Sequence, residues 1–320
     1  MTYQPTALSD DLSTLPKLPG WVTSGRAETL ETVAFRSGIA LTVLDQLVTD
    51  PRHGLPLKLL SNRLALSAAT ATSKLEGRLA READIRDAYH LTPPGEQRGP
   101  DGDLLAFWRE AVQLRLIGRD WQSGLTDLVS PDLLAEAYNW LNAGTAHARV
   151  YGPLAACVSV MRDVLETDDR AERVACMFAD VVLARALNWK TVLPISGLRL
   201  TKSMLRDLGA EEQGADFKVQ ASLLESVEDT IRLARDLASR AAALRSVAPK
   251  LRAKGSEAAV ALFLSEDAVA PSTMLSPMIQ GTTIPMTDRA ARRFCDRLVE
   301  LGVSRELTGR PTFRLYGIGS

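Results

Sequence analysis

Four arginines, Arg289, Arg292, Arg293 and Arg297, recur at helical spacing in the run TDRAARRFCDRLVELGVSRELTGRPTFRLY, residues 287–316. A guanidinium stays charged at any physiological pH, and its planar fork of donors fits phosphate oxygens and the O6 and N7 edge of guanine. The chemistry this pattern suits is recognition of duplex DNA, without bond making. The spacing puts these arginines on one side of a helix, while Ala290, Phe294, Leu298 and Leu301 line the opposite side. Arg310 and Arg314 follow in a turn-rich segment suited to reaching the phosphates beside such a helix. Asp288, Asp296 and Glu300 share the basic side, and a mixed charged face is also what a merely solvated helix shows. Both readings stand on the residues alone.

A second constellation is Thr72, Glu76 and Gly77 in TATSKLEGRL. A Thr and a Glu four apart share a helix face, so the carboxylate is placed to hold an arginine of a neighbouring helix or to cap a neighbouring element. An ionised carboxylate beside apolar neighbours is costly unless paired. Gly77 inside a helix costs about 1 kcal/mol against Ala, so a helix end is expected there. The plain alternative is a surface Glu beside a helix-terminal Gly. Other templates are missing: no GxxxxGK or GxGxxG phosphate loop, no GxSxG elbow. His53, His90 and His147 stand singly, and Cys157, Cys176 and Cys295 form no CxxC pair. No metal or cofactor is expected, and the thiols read as reduced core residues.

The elements that must position these residues are mostly helices. Helical patterns run from Ala27 to the stop at Pro51, from about Pro56 through Leu79, over 103–116, from Ser130-Pro131, over 153–165 and 171–187, and over 216–247 up to Pro249. The pattern over 171–187 is apolar around most of its circumference and predicts a central helix. The glycines and prolines of LTPPGEQRGPDGD (91–103) predict an internal loop without regular structure. The charged runs Arg81 to Asp87 and Asp168 to Arg173 read as solvated helix faces. After the arginine helix, Gly302 suits a left-handed end. Val303–Leu307 and Thr312–Tyr316 then read as two strands around Thr308, Gly309, Arg310 and Pro311. With Ser256–Leu264 as a first helix and Pro271–Met278 as part of a second, this is the ending of a winged helix. The expected organisation is an extended arm (1–25), an all-α body (26–248) and a winged-helix-like domain (249–320) behind a basic joint, PKLRAKG.

A chain of 320 residues with 46% hydrophobic residues is long enough for a substantial core. Its net charge of −1 excludes attraction to nucleic acid by bulk electrostatics, so a local patch has to supply it. Residues 249–320 hold ten Lys plus Arg against seven Asp plus Glu, a mild excess of the right sign. No signal-peptide pattern or bilayer-length apolar run is present, so a soluble, cytoplasmic protein without membrane contact is expected.

The passages SGIALTVLDQLV, NRLALSAATATSKLEGRLAREADIRDAYHLTPPGEQRGPDGDLLAFWREA, APKLRAKGSEAAV and DRAARRFCDRLVELGVSRELTGRPTFRLYGI resemble a bacterial family catalogued as domain of unknown function number 1403. A more distant likeness is to the Fic-domain superfamily. That resemblance implies an all-helical fold, often ending in a winged helix, and in many members AMP transfer to a hydroxyl. Thr72 to Gly77 looks like the superfamily's inhibitory pattern: Ser or Thr, three residues, Glu, then Gly or Asn. The likeness implies that Glu76 pairs with an active-site Arg and blocks phosphate binding. VLARALNWKTVLPIS, residues 182–196, looks like the stretch after the Fic active site. The His-Pro-Phe and Gly-Asn-Gly-Arg motif of that site is absent, and neither His147 nor His90 precedes one. General base and anion cradle would both be lacking.

The function expected from these residues is that of a non-enzymatic DNA-associated protein, a transcriptional or plasmid-related regulator that contacts double-stranded DNA through Arg289, Arg292, Arg293, Arg297, Arg310 and Arg314, with Arg292 and Arg293 carrying most of the contact. The helical body would dimerise or sense a partner. Two alternatives stay open: a divergent Fic-like nucleotide-binding protein or AMP transferase, and an adaptor whose winged helix contacts protein.

Overall fold

Apolar residues repeating at three- and four-residue intervals along most of the chain make helix the dominant structure. The structure, a computed structural model, describes residues 15–25, 27–93, 95–116, 124–251 and 253–319. It is mostly helical with one small two-stranded antiparallel sheet near the C-terminus. The expected N-terminal arm lies largely outside the described residues; within them Gly20–Thr23 forms a single helical turn, α1.

Two compact units interleave along the sequence. One comprises Leu18–Thr42 and Ser61–Thr230; the other comprises Val43–Leu60 and Ile231–Ser320 with the described residues at 15–17. The divisions fall inside three helices, α2 (Leu30–Thr49), α3 (Leu57–Leu75) and α10 (Ala215–Val247).

The first of these units contains α4 (Glu82–Leu91), α5 (Gly99–Ala111), α6 (Pro131–Tyr151), α7 (Pro153–Thr167), α8 (Glu172–Ala186) and α9 (Lys202–Gly209). As the all-round apolar pattern predicts, α8 is central: every residue from Ala175 to Ala184 is buried. α6 reaches it closely because Gly144 has no side chain; a Cβ there would lie 2.8 Å from Val182 Cγ2. Cys157 and Cys176 are buried free thiols in this core. The expected loop over 91–103 is shorter than its composition suggests, since α5 already begins at Gly99. Pro100 fits the first turn, where no backbone N–H is required, and Gly102 leaves room for the backbone of α4 at Ala88. Polar closure comes from ion pairs such as Arg36–Glu228 at 2.7 Å and Arg162–Asp216.

The second unit ends in α11 (Ser256–Phe263), a π-helical turn at Pro271–Leu275, α12 (Asp288–Glu300), β1 (Arg305–Glu306) and β2 (Tyr316–Gly317). β1 and β2 pair antiparallel, with Arg305 opposite Gly317 and Glu306 opposite Tyr316. On its other side Tyr316 exchanges both backbone hydrogen bonds with Val269, at 2.7 and 2.9 Å. Phe263 and Phe294 meet in the core with ring centroids 6.2 Å apart. The strands are shorter than the expected Val303–Leu307 and Thr312–Tyr316. Glu306 turns the chain at once, its carboxylate accepting from the backbone of Thr308 (2.7 Å) and Gly309 (2.8 Å). Phe313, at φ +54, breaks the extended conformation on the return. No helix among the described residues is long and apolar enough to cross a membrane.

Candidate nucleic-acid interface

α12 begins with Thr287, whose hydroxyl accepts from the backbone of Ala290 at 3.3 Å and so satisfies one otherwise open N-terminal donor. It ends at Gly302, φ +70, with Val303 N–H donating to Leu298 O and Gly302 N–H to Val299 O. This left-handed close is the one its glycine predicts. The buried stripe is Ala291, Phe294, Cys295 and Leu298. It is rotated about one position from the expected Ala290, Phe294, Leu298 and Leu301, because Ala290 and Leu301 are only half-buried. Arg289, Arg292, Arg293 and Arg297 are all exposed, as are Arg310 and Arg314 in the loop after β1.

The acids interspersed among these arginines are engaged. Arg292 pairs with Asp288 and Arg297 with Glu300, each at 2.9 Å, and Asp296 accepts from the Tyr316 hydroxyl at 3.2 Å. Arg289 and Arg293 have no carboxylate partner among the described residues. A groove of about 600 Å³ runs beside them, with Lys250, Arg289, Arg293 and Arg297 around Leu251 and Phe294. Lys250, Leu251 and Ala253 of the basic joint are among its lining residues. On the other side of α12 a groove of about 480 Å³ is lined by Arg292, Asp296, Phe313, Arg314 and Tyr316. Arg314 Nε donates to the Arg310 carbonyl at 3.1 Å and closes the loop. Cations along one ridge with a groove on each flank can take a phosphodiester backbone, an interaction of charge and hydrogen bonding.

The second sequence-derived group lies in the other unit. Gly77, φ +77, closes α3: Arg78 N–H reaches Ser73 O at 2.8 Å and Gly77 N–H reaches Lys74 O at 3.0 Å. Glu76 Oε1 lies 3.0 Å from Arg173 Nε in the first turn of α8, as the cost of an unpaired carboxylate requires. The Arg173 guanidinium also sits 4.7 Å above the Phe107 ring. Thr72 is apart from this pair: fully buried, it donates to Ala68 O and accepts from Trp108 Nε1 at 3.1 Å. Its contacts are those of packing.

The residues themselves did not lead to Arg173 and Asp180. Arg173 closes a charged run expected to be solvated; Asp168, Asp169 and Arg170 are exposed, whereas Arg173, in the first turn of α8, is half-buried against Glu76 and Phe107. Likewise Arg86 in the run 81–87 is buried against Asp87 at 2.7 Å. Asp180, in the middle of α8, accepts from the backbone of Ile195 (3.0 Å) and Ser196 (2.8 Å). Burial pushes its carboxyl up to about 7, against the lowering effect of Ser196 and Ile195. A lone Asp in an otherwise apolar helix was the available signal for it. Among the described residues no group of three His, Cys, Asp or Glu is placed to hold a metal ion.

Fold and site together define a mostly helical protein closed by a small antiparallel sheet, with an arginine-bearing helix packed beside that sheet. The chain belongs to the family described as Protein of unknown function (DUF1403), which it matches over residues 6–318. No curated protein matches it.

Proposed function

We propose that the protein is a non-enzymatic regulator that binds duplex DNA through α12 and the loop between β1 and β2. The order α11, Val269, the Pro271–Leu275 turn, α12, β1, loop and β2 supports reading the C-terminal part as a winged helix. The single antiparallel bridge of Val269 with Tyr316, beside the two-stranded sheet, fits the place where such a module carries a further short strand. In that reading α12 is the helix that enters the major groove and the loop is the wing. The observation that carries the proposal is the pair Arg289 and Arg293, exposed, without carboxylate partners among the described residues and facing a groove lined by two further cations. The remaining helices would dimerise the protein or sense a partner, in the cytoplasm where its DNA lies.

The test is a fluorescence-anisotropy titration of a mixed-sequence duplex with the full chain at two salt concentrations. Each phosphate contact steepens the fall of log K with log salt by about 0.9. Arg289→Ala with Arg293→Ala should reduce that slope by up to about 2. Arg292→Ala should act less, since Arg292 must first leave Asp288. The apolar stripe of α12 is untouched by these changes, so the fold is retained. Absence of duplex binding in the wild type would transfer α12 to the adaptor reading, a surface for protein.

One observation favours a second reading, a divergent Fic-like nucleotide-binding protein. Glu76 sits on Arg173 at the start of α8, where an arginine and a helix N-terminus would together attract a phosphate if the carboxylate left. Glu76→Gln should then bind ATP in isothermal titration while the wild type binds less. Equal, negligible heats from both proteins would remove this reading.

A further inference from the structure

The wing carries a residue that its own architecture does not explain. Phe313 is 70% exposed and adopts φ +54, a conformation that glycine accepts freely and a bulky L-residue adopts only under strain. Nothing in the closure of the loop calls for an aromatic ring there. Glu306 gathers the outgoing side through Thr308 and Gly309, and Arg314 binds the Arg310 carbonyl across the return. The hydroxyl of Tyr316 fastens the base of the loop to Asp296 of α12. Held this way, the loop projects one ring with Arg310 and Arg314 on either side in sequence. The ring borders the groove in which Arg292 and Arg314 also stand.

An exposed aromatic between cations is a pairing used to read nucleic acid, the ring stacking on bases or wedging between them while arginines hold phosphates. We propose that Phe313 is a wedge that enters the minor groove beside the α12 site and partly unstacks one base step. The preferred substrate is duplex DNA with a flexible pyrimidine–purine step, TA above all, at that point, because such steps unstack at least cost. This rests on the duplex-binding reading and adds to it a source of sequence preference that needs no hydrogen bond to a base edge.

The experiment uses the full chain and two short duplexes of equal length, one with a central TA step carrying 2-aminopurine, the other a stiff A-tract with the same label. Wild type should bind the TA duplex more tightly and raise its 2-aminopurine fluorescence as the base unstacks. Phe313→Ala should lose about tenfold in affinity for the TA duplex, with the salt slope unchanged, since the ring neutralises no phosphate. It should also lose the fluorescence rise and bind the A-tract duplex much as before. Phe313→Trp should restore both signals. The thermal midpoint of Phe313→Ala should equal or exceed that of the wild type, so loss of binding is not loss of fold. A wild type that binds neither duplex overturns the duplex reading itself. A wild type that binds both with a steep salt slope, matched by Phe313→Ala in affinity and fluorescence, overturns the wedge alone and leaves the ring as a contact for a protein.

Discussion

Replacing Asp180 by Asn should change the dependence of stability on pH in a direction set by burial. The Asp180 carboxyl sits in α8 with almost no solvent contact; Oδ1 accepts two backbone N–H groups, and Oδ2 has no hydrogen-bond partner among the described residues. Its folded-state value of about 7 stands above the ordinary 3.8. The folded chain therefore keeps a proton that the unfolded chain releases. The stability this group contributes is present below about pH 4, declines as pH rises, and is gone above about pH 7. Holding the proton from the ordinary 3.8 up to about 7 is worth on the order of 4 kcal/mol between those limits. Asn keeps an acceptor for Ile195 and Ser196, removes the charge, and puts an amide donor in place of Oδ2. Urea unfolding followed by circular dichroism from about pH 5 to about pH 8 should give a wild-type stability that falls relative to Asp180→Asn across the range. The variant should be the more stable of the two at the alkaline end. Titrations common to both proteins cancel in the difference. If the two curves run parallel, or the variant is weaker by several kcal/mol at about pH 8, the carboxylate is not held against its own ionisation and the reasoning fails.

Gly77→Ala should cost about 1–2 kcal/mol, because the left-handed end of α3 has space for a methyl group but not the conformational freedom for it; chemical denaturation of the unit's helices would read this. Gly144→Ala puts a Cβ against Val182, and a loss of about 1–3 kcal/mol is expected, with partial recovery when Val182→Ala is added. A double-mutant cycle showing no coupling would contradict the close approach of α6 to α8. Phe294→Ala removes a buried ring from the stripe of α12 and its contact with Phe263, and should lower stability by about 3–5 kcal/mol. Hydrogen exchange should then show lost protection in α11 and α12.

The sequence alone carried what depends on neighbours along the chain. Gly77 and Gly302 mark helix ends because only the local backbone has to become left-handed there, and the turn is complete within five residues of each helix end. Proline after Ser130 starts α6, and the apolar circumference of α8 announces burial before any partner is known. The arginine ridge of α12 was legible for the same reason, since helical spacing alone sorts Arg289 and Arg293 from Phe294 and Leu298. The structure decided everything that depends on residues distant in sequence. Glu76 finds Arg173 and Asp180 finds the backbone of Ile195 and Ser196 because separate segments are packed together; no periodicity encodes which segments those are. Strand length belongs here too: Val303–Leu307 has the composition of a longer strand, but Glu306 bonds to Thr308 and Gly309 and ends it early. The interleaving of the two units is of the same kind. Each of α2, α3 and α10 is continuous in hydrogen bonding and apolar spacing, and only the contacts each half makes assign those halves to different cores.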